Sequence, residues 1–150
     1  MWGFNIPKDP YSVRSINLIS MKKKMNKLNL IKQKIETIRY GLLRFSEGLM
    51  SESLQVRTHA EKDDHVNCII KDNVAGKSLL NRQVSLVQKK DNDYLYISGR
   101  IDEEMKGDDK SISLKIFRAC WFTRKRKGSV VWLQEKYIYD SPGNGMGRAS

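Results

Sequence analysis

The sequence predicts an α+β domain: a long N-terminal amphipathic helix packed on a five- to six-stranded antiparallel meander sheet. Three observations carry that expectation. Apolar residues recur at helical spacing as far as Gly48, they recur at every second residue beyond it, and turn-forming clusters punctuate the second region at short intervals. A helix with one apolar stripe and a sheet with one apolar face bury each other as two layers.

Residues 1–8 read as an irregular arm whose apolar members, Trp2, Phe4 and Ile6, either fold back on the domain or meet a partner. Asp9 followed by Pro10 is a helix start, because Asp caps free amides and Pro is preorganised for the first turn. Farther on, Met21, Leu28, Ile31, Ile35, Ile38, Leu42, Phe45 and Leu49 form one stripe, with steps that alternate between three and four after Leu28. A helix over residues 13–49 would run roughly 55 Å, longer than a small domain is wide. A break is therefore expected near Ser20, or at Gly41 or Gly48. The stripe also fits a coiled coil, although no matched flanking charges support that alternative.

Beyond Gly48, Leu54, Val56, Thr58 and Ala60 alternate with polar residues, as do Val66, Cys68 and Ile70. The segments 83–88, 94–101, 112–123 and 129–139 are rich in β-branched and aromatic residues. Asp63–Asp64, Asp72–Asn73, Asp91–Asn92–Asp93, Gly107–Asp109 and Lys127–Gly128 supply the turns between them. A single domain over residues 9–140 follows, with a disordered Gly-rich tail over 141–150.

Charge is the feature that bears on function. The 150-residue chain carries a net charge of +11, and the charge is clustered. Residues 20–44 hold eight bases against the single acid Glu36, and residues 115–127 hold six bases and no acid. Such clustering predicts oriented basic faces and polyanionic partners. No apolar run approaches the roughly 18 residues of a transmembrane helix. The opening MWGFNIPKDP has no secretory pattern, and two cysteines make no disulfide framework, so an intracellular or virion-interior setting is expected.

The catalytic and metal motifs are weak. Gly76-Lys77-Ser78 lacks the earlier glycine of a phosphate loop, since Lys71 stands there. His59 and His65 flank Glu61, Asp63 and Asp64 without the spacing of a metal site, and the acids over 102–109 lack that of a calcium loop. Cys120 lies within an apolar strand, where a cysteine behaves as a small hydrophobe. No enzyme activity, cofactor or metal is expected.

In a regular strand, Lys115, Phe117, Ala119, Trp121 and Thr123 share one face, and Ile116, Arg118, Cys120 and Phe122 the other. Phe117 and Trp121 are expected to face the helix as core. Four adjacent like charges repel one another and serve no packing purpose, so Arg124, Lys125, Arg126 and Lys127 are assigned to anion binding. Lys115 is expected to assist, with Lys22, Lys23, Lys24 and Lys27 of the helix. The expected function is thus a non-enzymatic basic binding module that contacts RNA, single-stranded DNA or an anionic membrane surface, by compositional analogy a viral structural or accessory protein. The alternative is a protein-interaction or small-ligand module, with the long helix as a possible oligomer interface.

Overall fold

The structure is a computed structural model that describes residues 26–47, 49–70, 78–105, 107 and 110–141. The expected arm with Trp2, Phe4 and Ile6, the Asp9–Pro10 start, Lys22, Lys23, Lys24, the pair Gly76–Lys77 and the tail beyond Ser141 lie outside them. Among the described residues 71% are in strands, all seven of which belong to one antiparallel sheet, beside a single helix of 13 residues. The α+β expectation of a long helix on a five- to six-stranded meander is therefore wrong.

Helix α1 covers residues 26–38 and β1 follows at once as Tyr40–Glu47. The remaining strands are β2 (Met50–Ala60), β3 (His65–Ile70), β4 (Gln83–Lys90), β5 (Asp93–Met105), β6 (Lys110–Lys127) and β7 (Val130–Asp140). The long-helix expectation fails at Arg39. That residue takes φ 70°, and its amide donates to the Ile35 carbonyl at 2.8 Å. This is a left-handed C-cap, which ends a helix. The apolar positions after it fit a strand as well as a helix. Leu43 and Phe45 point inward, Leu42 points outward, and Leu49 is fully exposed in a turn.

The order β3-β2-β1-β4-β5-β6-β7 closes on itself through an additional β3–β6 pairing. Six strands thus form a barrel, with Val66 opposite Leu114 at the seam and Leu43 opposite Leu86 where β1 meets β4. A simple meander would leave two bare edges; closure pairs both sides of β3, and among the described strands β7 keeps an open edge. Leu54, Val56, Val66, Cys68, Leu86, Leu95, Ile97, Ile112 and Leu114 fill the interior at alternate positions. Ile31, Ile35 and Ile38 of α1 join this core, and each buried side chain contributes about 1.5–3 kcal/mol.

Polar contacts fix α1 across one end of the barrel. Glu36 accepts a hydrogen bond from the Ala60 amide at 2.6 Å, Lys32 donates to the Asp63 carbonyl at 2.8 Å, and Lys34 pairs with Asp93. Those partners belong to, or border, the β2–β3 and β4–β5 turns, which form that end.

Strand β6 has two partners on one side. Residues Lys110–Lys115 pair with β3 and close the barrel, whereas Arg118–Lys127 pair with β7. Between them a bulge lets Gly99 approach the backbone closely: a Cβ there would lie 1.9 Å from the Lys115 carbonyl oxygen. The bulge also overturns the simple alternation along β6. Ile116, Ala119 and Trp121 turn toward the core, while Phe117 goes outward with Arg100 over its ring at 5.6 Å. Ser141, expected in a disordered tail, is buried; its amide donates to the Phe117 carbonyl at 2.8 Å and its hydroxyl to Asp64 at 3.1 Å.

Candidate functional site

Strand β5 begins at Asp93, which pairs with Thr123, so β6 beyond Thr123 has β7 as its only described partner. The end of β6 and the start of β7 form a two-stranded arm past the α1 end of the barrel. Gly128 and Ser129 close it, and Gly128 at φ 62° suits the first central position of a tight hairpin turn. A lone ribbon is marginally stable. Its root is held by the Arg124 amide donating to the Asn92 carbonyl at 2.7 Å, and by Trp121 packed against Tyr137 with ring centroids 5.2 Å apart.

Arg124, Lys125, Arg126 and Lys127 all lie on this arm. They sit opposite Leu133, Trp132, Val131 and Val130 respectively, so each face carries two bases and two apolar side chains. All four apolar residues are exposed, Trp132 at 45%. None of the four bases forms an ion pair among the described residues. The root is electrostatically complete: Asp93 receives Lys34 and the Thr123 hydroxyl. Desolvation raises the Asp93 pKa, but the Lys34 ammonium, the nearby Trp121 indole and the Thr123 hydroxyl outweigh it and hold the carboxyl below its ordinary value. The buried Trp121 indole nitrogen completes no hydrogen bond of good geometry, yet it lies near enough to that carboxylate to favour its ionised form.

The other expected site residues are scattered. Lys115 stands nine residues before Arg124, roughly 30 Å away along the strand, and approaches Asp64 at 3.7 Å. Lys27 is exposed on α1, seven residues before Lys34 and so on a similar helix face. The structure unites the four tip residues and leaves Lys115 outside that group.

A second surface was hidden from sequence reasoning. On the outer face of the barrel, register aligns Leu42, Val87, Tyr96 and Cys120 across β1, β4, β5 and β6. The adjacent row on one side is Arg44, Ser85, Ser98 and Arg118, and on the other it is Lys89, Tyr94 and Phe122. Tyr40 and Tyr96 are 53% and 44% exposed. An open groove of about 670 Å³ on this face is lined by Arg44, Ser46, Arg82, Ser85, Ser98 and Phe117, among others. The signal in the sequence was Tyr94-Leu95-Tyr96-Ile97, whose tyrosines occupy the phase opposite the core residues.

A polar cluster lies around His65. Its Nε2 is 3.0 Å from Asp102 and its Nδ1 is 3.4 Å from Asp64, while Lys115 and Arg100 border the same carboxylates. Among the described residues no serine, threonine or cysteine is hydrogen-bonded to a histidine. No group of three or more His, Cys, Asp or Glu residues there could hold a metal ion. Both cysteines are buried as free thiols, and burial pushes the Cys68 thiol up to about 12.

No known family matches the chain, and no curated protein is similar to it. The viral setting suggested by composition therefore gains nothing from relatives. Among the described residues no helix is long and apolar enough to cross a membrane.

Proposed function

We propose that this protein is a non-enzymatic nucleic-acid-binding module that grips the phosphate backbone with the β6–β7 arm. The observation that carries this reading is the placement of Arg124, Lys125, Arg126 and Lys127, four adjacent bases without ion pairs, on a ribbon projecting past the barrel. Exposed side chains on a two-stranded ribbon reach phosphates without disturbing the core. Each phosphate neutralised releases condensed counterions, which makes binding steeply salt-dependent.

Titration of a labelled oligonucleotide at several salt concentrations tests the reading. Four contacts to a single strand give a slope of log K against log salt near −3 from these residues, at about −0.7 per contact. Replacing all four by Ser is expected to flatten the slope by about that amount and leave stability nearly unchanged. An unchanged slope in the folded variant would remove the arm as the site.

A second reading, an anionic membrane surface, draws on the exposed Val130, Val131, Trp132 and Leu133 beside these bases. Apolar side chains next to cations suit the interface of an acidic bilayer. Vesicles of phosphatidylserine and phosphatidylcholine separate the two readings: sedimentation with vesicles, without oligonucleotide binding, would favour the membrane.

A further inference from the structure

We propose that the outer face of β1, β4, β5 and β6 is a stacking platform for single-stranded nucleic acid, with Tyr40 and Tyr96 as its principal rings and Arg44, Lys89 and Arg118 as phosphate contacts. This rests on the nucleic-acid reading of the arm and assigns the class of strand bound. The tyrosine ring at the centre of this face is held in place. The Tyr96 hydroxyl is 2.9 Å from the Ser85 hydroxyl on the neighbouring strand, which lays the ring across the sheet instead of letting it swing into water. Tyr94, on the same face, has the Lys89 ammonium 5.6 Å from its ring centroid. A flat, tethered, half-exposed ring offers a π-face to an unstacked base, and such stacking tolerates any base.

The charge of this face complements a phosphate backbone. Bases and aromatics interleave here: the Leu42–Tyr96 row lies between one row ending in Arg44 and Arg118 and another containing Lys89, Tyr94 and Phe122. Adjacent rows are about 7 Å apart along the strands. Arg118 is tied to Asp140 at 3.7 Å, whereas Arg44 and Lys89 have no ion pair among the described residues. A protein partner of mixed charge would not call for cations on both sides of the rings.

The platform is also continuous with the arm. The period of two along β6 carries Arg118, Cys120, Phe122, Arg124 and Arg126 along one side of the strand, so the platform runs directly into the basic arm. A strand whose bases lie on the tyrosines can place its next phosphates on Arg124 and Arg126. Duplex DNA keeps its bases stacked inside the helix and gives the rings nothing to receive. The exposed tyrosines therefore favour an unpaired strand.

The experiment is fluorescence anisotropy on the full chain with a labelled oligouridylate of about ten nucleotides, beside a duplex of equal length and the acidic vesicles. Tyr40→Ala and Tyr96→Ala are each expected to weaken oligouridylate binding about five- to a hundredfold, with little change in salt slope. Duplex and vesicle binding should stay the same. Tyr96→Phe keeps the ring but releases its tether to Ser85, so its affinity should fall between those of wild type and Tyr96→Ala; the thermal midpoint of each variant controls for folding. Full affinity in both alanine variants, with loss in the Ser-substituted arm, would overturn the platform and leave the arm reading standing. Equal loss for single strand and duplex would overturn it too, because the rings would then not be selecting unpaired bases. Binding of vesicles alone by the wild type would overturn both readings.

Discussion

The Lys34 ammonium lies 4.3 Å from the centroid of the Trp121 ring while it pairs with Asp93 at the first position of β5. One cation thereby ties the helix that closes the barrel to the root of the projecting arm. The site is largely shielded, since the Lys34 and Asp93 side chains are 22% and 27% exposed. Replacing Lys34 by Met keeps the apolar stem and removes the charge. It is expected to cost about 1–2 kcal/mol, because a partly desolvated cation–π contact and an ion pair are lost together. Urea denaturation measures the cost, and a shift in tryptophan emission reports the changed surroundings of Trp121. A variant as stable as wild type would mean that the contact joins nothing of consequence.

Arg39 is the opposite case, a residue whose backbone conformation works against it. Its φ of 70° suits glycine, and an L side chain there is strained by contact with the following carbonyl. Its guanidinium returns only a hydrogen bond from Nε to the Glu36 carbonyl at 3.1 Å, made in solvent. Arg39→Gly is therefore expected to raise stability by about 0.5–1 kcal/mol, less the greater entropy glycine gives the unfolded chain. Thermal unfolding should show a midpoint a few degrees higher; a lower midpoint would mean that the Arg39 side chain contributes more than the strain costs.

At Gly99 the constraint is space. A methyl group would lie 1.9 Å from the Lys115 carbonyl oxygen and 3.1 Å from a Leu114 methyl, and the first of these is backbone that cannot swing aside. Gly99→Ala must push β5 away from β6 at the bulge where Phe117 turns outward. A loss of at least about 3 kcal/mol is expected, with weaker protection from hydrogen exchange along both strands. A well-folded variant with native exchange would show that the two strands do not meet this closely.

These contacts also explain what the sequence could and could not reveal. Strands β2 to β7 were legible because Leu54, Val56 and Thr58, or Val66, Cys68 and Ile70, or Val84 and Leu86, alternate cleanly with polar residues. Strand β1 was not, because Leu42, Phe45 and Leu49 happen to continue the spacing of Ile31, Ile35 and Ile38. Closure depends on pairings such as Val66 with Leu114, whose partners lie far apart in sequence and carry no local signature. The arm was readable from four consecutive bases, although its separation from the barrel depends on where β5 begins. The aromatic face needed the register of four strands before Tyr96 and Arg44 could be placed near each other.

Glu104 gives a prediction in pH. Its carboxylate is 3.3 Å from Lys110, accepts from the Leu79 amide at 2.8 Å and from the Ser78 hydroxyl at 3.0 Å, and so ties the chain entering β4 to the end of β5. Desolvation raises its pKa, but these hydrogen bonds, with the charge of Lys110, outweigh it and hold the carboxyl below its ordinary value. A carboxyl whose pKa is lower folded than unfolded contributes its stability above the unfolded value, about 4.3 for Glu, and loses it as pH falls through the folded value. Wild-type stability should accordingly decline as the pH is lowered from about 5 into the acid range. Asp93, also lowered, adds to the decline over a similar range. Glu104→Gln keeps the shape and can still accept from Leu79, but it loses the charge. It should be less stable than wild type at neutral pH and approach it in acid as the wild-type carboxyl is protonated. Urea midpoints for both proteins between neutrality and about pH 3 measure this convergence. Parallel curves would show that Glu104 is not held ionised by its neighbours and that its hydrogen bonds alone close this corner of the barrel.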